Sequence, residues 1–170
     1  YILSLLPIGK HDLNKFINSL KLPRKIIILI PSGKYVDVLL NKLIPLLNEN
    51  DCILDGGNEW YKNTEARQYL LYSTKKINYI GCGISGGENG ARYGPCLMSG
   101  GAKQGYNIFY PLLSKICATY QNELCLEYFG NGGMGNYIKM VHNGIEYALM
   151  QIISEIYLLL KMHNYSNYDI

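Results

Sequence analysis

Lys139, His142, Asn143, Glu146 and Tyr147 stand at offsets 0, 3, 4, 7 and 8 within GNYIKMVHNGIEYALMQ, residues 135–151. In a helix, at about 100° per residue, they fall within an arc of roughly 140°. One face then carries a base, an acid and three hydrogen-bonding groups. The opposite face carries Ile138, Val141, Ile145, Ala148, Leu149 and Ile152, a stripe expected to pack into a core. A polar face opposite such a stripe is ordinarily a solvated surface. Two features argue otherwise. Lys139 and Glu146 are two turns apart, too far for a simple surface ion pair. His, Asn and Tyr are mediocre helix formers, a poor choice for a face selected only for solubility.

Such groups need a scaffold. The chain has 170 residues, 48% hydrophobic and 17% charged, enough for one globular domain with a real core. The net charge is +3 with scattered lysines, and no basic tract marks a nucleic-acid partner. Sixteen tyrosines read as general packing. The cysteines at 52, 82, 96, 117 and 125 form no CxxC pair and are odd in number. Buried free thiols in a reducing compartment are expected rather than disulfides or a metal site. The apolar run Ile26 to Ile30 is far too short to span a bilayer. No secretory leader is expected. The first residue is Tyr, and the closing NYSNYDI resembles the start of another helix, so the chain is expected to be an excerpt.

The pattern along the chain alternates. KHDLNKFINSL has helical spacing, and KIIILI is an apolar strand closed by Pro31, Ser32 and Gly33. VDVLLNKLIPLLNEN is an amphipathic helix kinked at Pro45. CILDGGN is a strand entering a glycine turn, and NTEARQYLLYSTKK is a helix capped by Asn63 and Thr64. INYIG is a strand followed by a glycine-rich loop to Gly94. CLMSGG and LCLEYFG are strands flanking the helix GYNIFYPLLSKICATY. This order predicts an α/β fold, a Rossmann-like doubly wound parallel sheet. The final helix, Gly135 to Met162, is too long for a crossover and is expected to open an all-helical second domain. Ligands in such sheets sit past the carboxyl ends of the strands. Those ends here carry PSG, DGGNEW, GCGISGGENGARYGP and GNGGMG.

Two of these stretches match GxGxxG, residues 81–86 and 130–135. Neither reads as a pyrophosphate loop. The first has no helix directly after it and no acidic residue between 89 and 122. In the second, Glu155 lies 20 residues on but inside the same helix. A true dinucleotide fingerprint is expected to precede residue 1. GISGGENGARYGP reads better as a substrate loop. Ser85 offers a hydroxyl, while Gly86 and Gly87 offer unshielded N–H groups suited to a carboxylate or phosphate.

DGGNEWY, GISGGENGARYGP and KMVHNGIEY, in this order and spacing, resemble the 6-phosphogluconate dehydrogenases, within the β-hydroxyacid dehydrogenases. Gly133, Gly135, Lys139 and Asn143 match the pattern of the wider superfamily. The resemblance implies an oxidoreductase of the pentose phosphate pathway. It would decarboxylate 6-phospho-D-gluconate oxidatively to ribulose 5-phosphate and CO2, reducing NADP to NADPH. Lys139 resembles the general base and Glu146 the general acid. Substrate contacts are implied for Asn58, Ser85, Gly86, Gly87, His142, Asn143 and Tyr147. Cofactor contacts are implied for Ile30, Pro31, Ser32 and Asn58. No metal is needed, because a β-keto acid loses CO2 readily once its ketone is polarised. Physical chemistry asks that burial lower the pKa of Lys139 and raise that of Glu146.

The family commonly has Lys-Ala-Gly where this chain has Pro31, Ser32 and Gly33, and Ser where it has Glu59. The resemblance also implies a cytosolic homodimer built through the helical domain. Residues 1–130 are read as the carboxyl-side part of the dinucleotide-binding domain, its amino-terminal part missing. Residues 131–170 are read as the long helix opening the helical substrate and dimer domain. The alternatives are another β-hydroxyacid dehydrogenase, such as one acting on 3-hydroxyisobutyrate, and a non-catalytic fragment.

Overall fold

The computed structural model describes residues 12–170. Of the expected first helix, Lys10 and His11 lie outside the described residues. The remainder forms α1 (Leu13–Asn18), capped by Asp12, whose Oδ1 accepts from the N–H groups of Asn14 and Lys15. There follow β1 (Lys25–Ile28), α2 (Lys34–Leu43), β2 (Cys52–Asp55), α3 (Tyr61–Lys75), β3 (Asn78–Ser85), α4 (Gly87–Tyr93), β4 (Cys96–Gly101) and α5 (Lys103–Ile116). A hairpin of β5 (Thr119–Tyr120) and β6 (Glu123–Leu124) leads to β7 (Leu126–Tyr128) and the 29-residue α6 (Met134–Met162). Residues after His163 form turns rather than a new helix.

The sheet order is β1-β2-β3-β4-β7. All neighbours are parallel except β3 and β4, where Ile80 pairs with Gly101 and Ser85 with Cys96. The expected Rossmann-like layers are present, but the sheet is mixed. The short α4 between β3 and β4 turns the chain back on itself, which a full crossover helix would not do.

Alternation along β2 builds two cores. Ile53 packs with Ile26, Ile28, Val36, Leu40, Leu43, Leu71 and Tyr79 on one face. Cys52 and Leu54 pack with Ile80, Cys82, Leu97, Phe109 and Leu113 on the other. Pro45 ends α2 in a single 3-10 turn, Ile44–Leu46. Asn63 and Thr64 do not cap α3, whose N-cap is Trp60 with no side-chain bond. Their side chains reach Glu59 and Asn136 instead.

The stripe on α6 departs from expectation. Ile138 is half-buried, but Ile145, Leu149 and Ile152 are 59%, 56% and 53% exposed, and Val141 and Ala148 are exposed too. It is the polar face that turns toward the sheet. The reason lies in the first turns of the helix, where Gly135 and Asn136 are buried against β3 and β4. That contact fixes the rotation of the helix.

Candidate active-site cleft

The carboxyl ends of β1, β2 and β3 and the polar face of α6 enclose a cleft of about 1070 Å³. Its lining brings together Ile30, Pro31, Ser32, Asn58, Ser85, Gly86, Gly87, Lys139, Asn143, Glu146 and Tyr147, all singled out from sequence. His142 alone of that set does not line it. Its Nδ1 lies 3.1 Å from Asn143 Oδ1 and 3.9 Å from a carboxylate oxygen of Glu146. Small-molecule sites occupy roughly 300–1,000 Å³, so this cleft has room for more than one reactant. A smaller cavity of about 410 Å³, between α3 and the Asn131–Gly132 turn, holds none of these residues.

Lys139 is the fixed point of the cleft. Its Nζ donates to Asn58 Oδ1 at 2.8 Å and to the carbonyl of Ile84. Burial pushes its pKa below the ordinary lysine value, as a base near neutrality requires. Glu146 does not meet the matching expectation of burial. Its side chain is 54% exposed among the described residues.

The glycines of GCGISG explain how Lys139 comes so close to the sheet. Gly81 and Gly83 lie inside β3, not in a loop. A Cβ on Gly83 would come within 2.6 Å of Lys139 Cβ and 3.0 Å of the Gly135 carbonyl. A Cβ on Gly81 would strike Asn136, and one on Gly100 would strike the Gly135 amide. Glycine thus forms a flat platform on which α6 rests backbone to backbone. A helix does follow at Gly87, contrary to expectation, yet residues 81–86 still form no pyrophosphate loop, because the first two glycines are strand residues facing α6. Gly86 and Gly87 have φ of +132° and +57°, and both sit at the sharp entry to α4.

Sequence reasoning missed three residues that hold the site. Asn136 is buried, accepts from the Thr64 hydroxyl at 2.9 Å and donates to the Gly57 carbonyl at 3.4 Å. Its signal was available, since it precedes Lys139 by one turn on the same helical face. Glu59 and Arg67 form a buried ion pair at 2.5 Å behind the loops at the ends of β1 and β2. A charged residue beside a glycine turn gave no such indication.

Residues 7–136 match the family described as the NAD binding domain of 6-phosphogluconate dehydrogenase. Residues 135–170 match the 6-phosphogluconate dehydrogenase C-terminal domain. The chain is 47% identical over 153 residues to 6-phosphogluconate dehydrogenase, decarboxylating 1, of Spinacia oleracea, covering 90% of this chain and 32% of the relative. It is 44% identical over 154 residues to the NADP(+)-dependent decarboxylating enzyme of Bacillus subtilis, covering 91% and 33%. The solved Plasmodium falciparum 6-phosphogluconate dehydrogenase, described with its cofactor NADP+ and its substrate 6-phosphogluconate, superposes with a TM-score of 0.86 at 46% identity. That match covers 92% of this chain and 33% of that one. A Mycobacterium tuberculosis 3-hydroxyisobutyrate dehydrogenase matches with a TM-score of 0.79 at 16% identity, covering 94% and 52%, a likeness of fold alone. The chain spans about a third of the length of the curated relatives it matches, and it belongs to the 6-phosphogluconate dehydrogenase family.

Proposed function

We propose that the complete protein oxidatively decarboxylates 6-phospho-D-gluconate to ribulose 5-phosphate and CO2, with reduction of NADP to NADPH. The observation that carries this reading is Lys139, partly buried and bonded to Asn58, with Glu146 two turns further along the same cleft-facing side of α6. The alternative 3-hydroxyisobutyrate activity has no comparable support, since that likeness is one of fold.

The residues fit a nicotinamide cofactor. Ile30, Pro31 and Ser32 line the β1 side of the cleft with an apolar surface and one hydroxyl. A Cβ on Gly56 would come within 2.7 Å of both Leu29 and Ile84, so glycine there lets the cleft walls close in. When bound, NADP supplies the hydride acceptor for the substrate C3. Asn58 would stand between cofactor and substrate and hold the Lys139 ammonium. Ser85, Gly86, Gly87, Asn143 and Tyr147 would hold the substrate, with His142 at the rim.

Neutral Lys139 takes the C3 hydroxyl proton as the C3–H bond breaks. It returns that proton to the C3 oxygen while the bond to the carboxylate cleaves and CO2 leaves. Glu146 is placed to deliver a proton to C1 of the resulting enediol, and Lys139 recovers the proton from the adjacent hydroxyl. One helix carries both groups, which fixes their separation. A homodimer in the cytoplasm is part of this proposal, as the resemblance implies. The apolar flank of α6 offers surface for further packing. Among the described residues no helix is long and apolar enough to cross a membrane.

The test is turnover of 6-phosphogluconate with NADP by the complete protein, following NADPH and CO2, beside Lys139→Met and Glu146→Gln. Both variants are expected to lose at least about a hundredfold in kcat. Turnover of a non-phosphorylated 3-hydroxy acid instead would overturn the reading.

A further inference from the structure

We infer that Glu59 and Arg67 are positioning residues that clamp the loop after β1 to the loop after β2, and so set the shape of the cofactor side of the cleft. The inference rests on the proposed function for what that side binds. Its geometric basis is independent of it.

Both polar groups of one backbone residue are captured by this pair. The Gly33 N–H donates to Glu59 Oε2 at 2.8 Å, and the Gly33 carbonyl accepts from Arg67 Nη2 at 3.0 Å. Gly33 has φ of +76° and directly follows Pro31 and Ser32, so its capture fixes where those residues stand. The same carboxylate holds its own side of the cleft. Glu59 Oε1 accepts from the Trp60 N–H and from Asn63 Nδ2, both at 2.9 Å. Asp55 continues the network. Its Oδ1 accepts from the Gly57 N–H at 2.9 Å, its Oδ2 from the Tyr79 hydroxyl at 2.7 Å, and Arg67 Nη1 lies 3.8 Å away. Asn58 lies between Gly57 and Glu59, so the residue that meets Lys139 is braced on both sides.

Every group facing the pair is accounted for among the described residues. Glu59 and Arg67 side chains are 3% and 6% exposed; of the two further acids on Arg67, Asp55 is buried at 3.8 Å and Asp37 is 55% exposed at 2.7 Å. Burial pushes the Glu59 carboxyl up, but the bonds from Arg67, Gly33, Asn63 and Trp60 outweigh it and hold it ionised below its ordinary range. A permanently charged pair of this kind is costly to leave half-made and geometrically demanding. Placed in a core it would serve packing no better than apolar residues. Placed behind two loops of a cleft, it locks their separation.

The experiment uses the complete protein and three variants, Glu59→Ala, Glu59→Gln and Asp37→Asn. NADP affinity is measured by calorimetry without substrate, steady-state constants are measured for both reactants, and hydrogen exchange is followed over residues 30–36. Glu59→Ala, which removes the acceptor for Gly33, Arg67, Trp60 and Asn63, is expected to raise the NADP Kd and KM at least about tenfold. The KM for 6-phosphogluconate should rise by less than the KM for NADP. Exchange over residues 30–36 should accelerate. Glu59→Gln, which keeps one acceptor oxygen, should show a smaller rise. Asp37→Asn, which alters a side chain bonded to Arg67 and keeps the Asp37 N–H on the Gly33 carbonyl, should leave NADP affinity unchanged. A lower Tm with unaltered NADP affinity in Glu59→Ala would overturn the inference, as would equal rises in both KM values. If Glu59→Ala does not fold, Glu59→Gln decides by the same criteria. A wild type that fails to bind NADP removes the proposed function, while unchanged exchange over residues 30–36 in a variant removes the clamp itself.

Discussion

Lys139 Nζ lies 2.8 Å from Asn58 Oδ1, though 81 residues separate them in the chain. The contact joins the first turns of α6 to the glycine turn after β2, and it stands at the centre of the cleft. Two glycines in β3 and one in β4 allow it, because any Cβ there would lift the helix away. Catalytic potential in this chain therefore depends on missing atoms as much as on present ones.

The pH dependence of Lys139 follows from its burial. Its folded pKa lies below the ordinary value of 10.5. The folded state therefore binds fewer protons than the unfolded chain between those two values, and stability rises with pH across that interval. Lys139→Met should abolish that slope while leaving Tm at neutral pH unchanged or slightly higher. The acidic limb of wild-type kcat/KM should lie below the ordinary lysine range. Thermal melts from pH 6 to 10 and a pH–rate profile check both. A melt in which the variant loses several degrees at pH 7 would show that the lysine is chiefly structural.

Gly83→Ala tests the platform directly. The new methyl would meet Lys139 Cβ at 2.6 Å and the Gly135 carbonyl at 3.0 Å, and helix backbone must move. Overpacking of this kind costs about 1–3 kcal/mol. The activity loss should exceed what that stability change explains, because Lys139 moves with the helix. Chemical denaturation and kcat, measured on the same preparation, separate the two effects. Activity near wild type would refute the platform.

Arg24 and Asp51 provide the contrasting case. Asp51 is fully buried and accepts from the Arg24 N–H at 2.7 Å, Arg24 Nη1 at 2.8 Å and the Asn48 N–H at 2.9 Å. None of these residues reaches the cleft. Asp51→Ala leaves a buried guanidinium without its partner and should cost about 3–5 kcal/mol. The KM values of the folded fraction should not change. Urea titration and steady-state kinetics at a permissive temperature give both readings.

Much of this arrangement was legible in the sequence, for identifiable reasons. Short apolar strands with glycine-rich ends gave the layered fold and the location of the cleft, because period and turn chemistry are local properties. The burial of the apolar stripe on α6 was misread, although its polar face does line the cleft. Ile145 and Leu149 look like core residues, yet the helix is oriented by Gly135 and Asn136 pressing on β3 and β4, a contact between distant segments. The antiparallel step at β4 was missed because a seven-residue helix hid inside a glycine-rich stretch. Glu59 and Arg67 were invisible for a similar reason. Their partner is the backbone of Gly33, and side-chain patterns carry no record of backbone partners.

Acid titration should single out Glu59. Its folded pKa lies below the ordinary 4.5, so its contribution to stability is present above that value and is lost as pH falls through the folded one. Glu59→Gln should therefore flatten the loss of stability below about pH 4.5 relative to wild type. Denaturant midpoints at intervals from pH 3 to 7 provide the comparison. Parallel curves for the two proteins would mean that the carboxylate is not held as the hydrogen bonds imply.

Thiol reactivity offers a check on the core that backs the glycine platform, between the sheet and α5. Cys52 and Cys82 are buried, and burial pushes their thiols up to about 12 and about 11. Cys82 also lies within 3.6 Å of Ser99 Oγ, in the strand that supports α6. The thiolate is the reactive form, so both cysteines should resist alkylation at pH 8. Cys96, Cys117 and Cys125 are only half-buried and should be modified faster. Iodoacetamide labelling mapped by peptide mass spectrometry reads all five positions. Cys82 faces the α5 side of β3, opposite Gly81 and Gly83, and should become labelled only on denaturation. Rapid labelling of Cys82 in the native wild type would mean that the core between the sheet and α5 opens in solution, and the strand that carries Gly81 and Gly83 would then be no rigid platform.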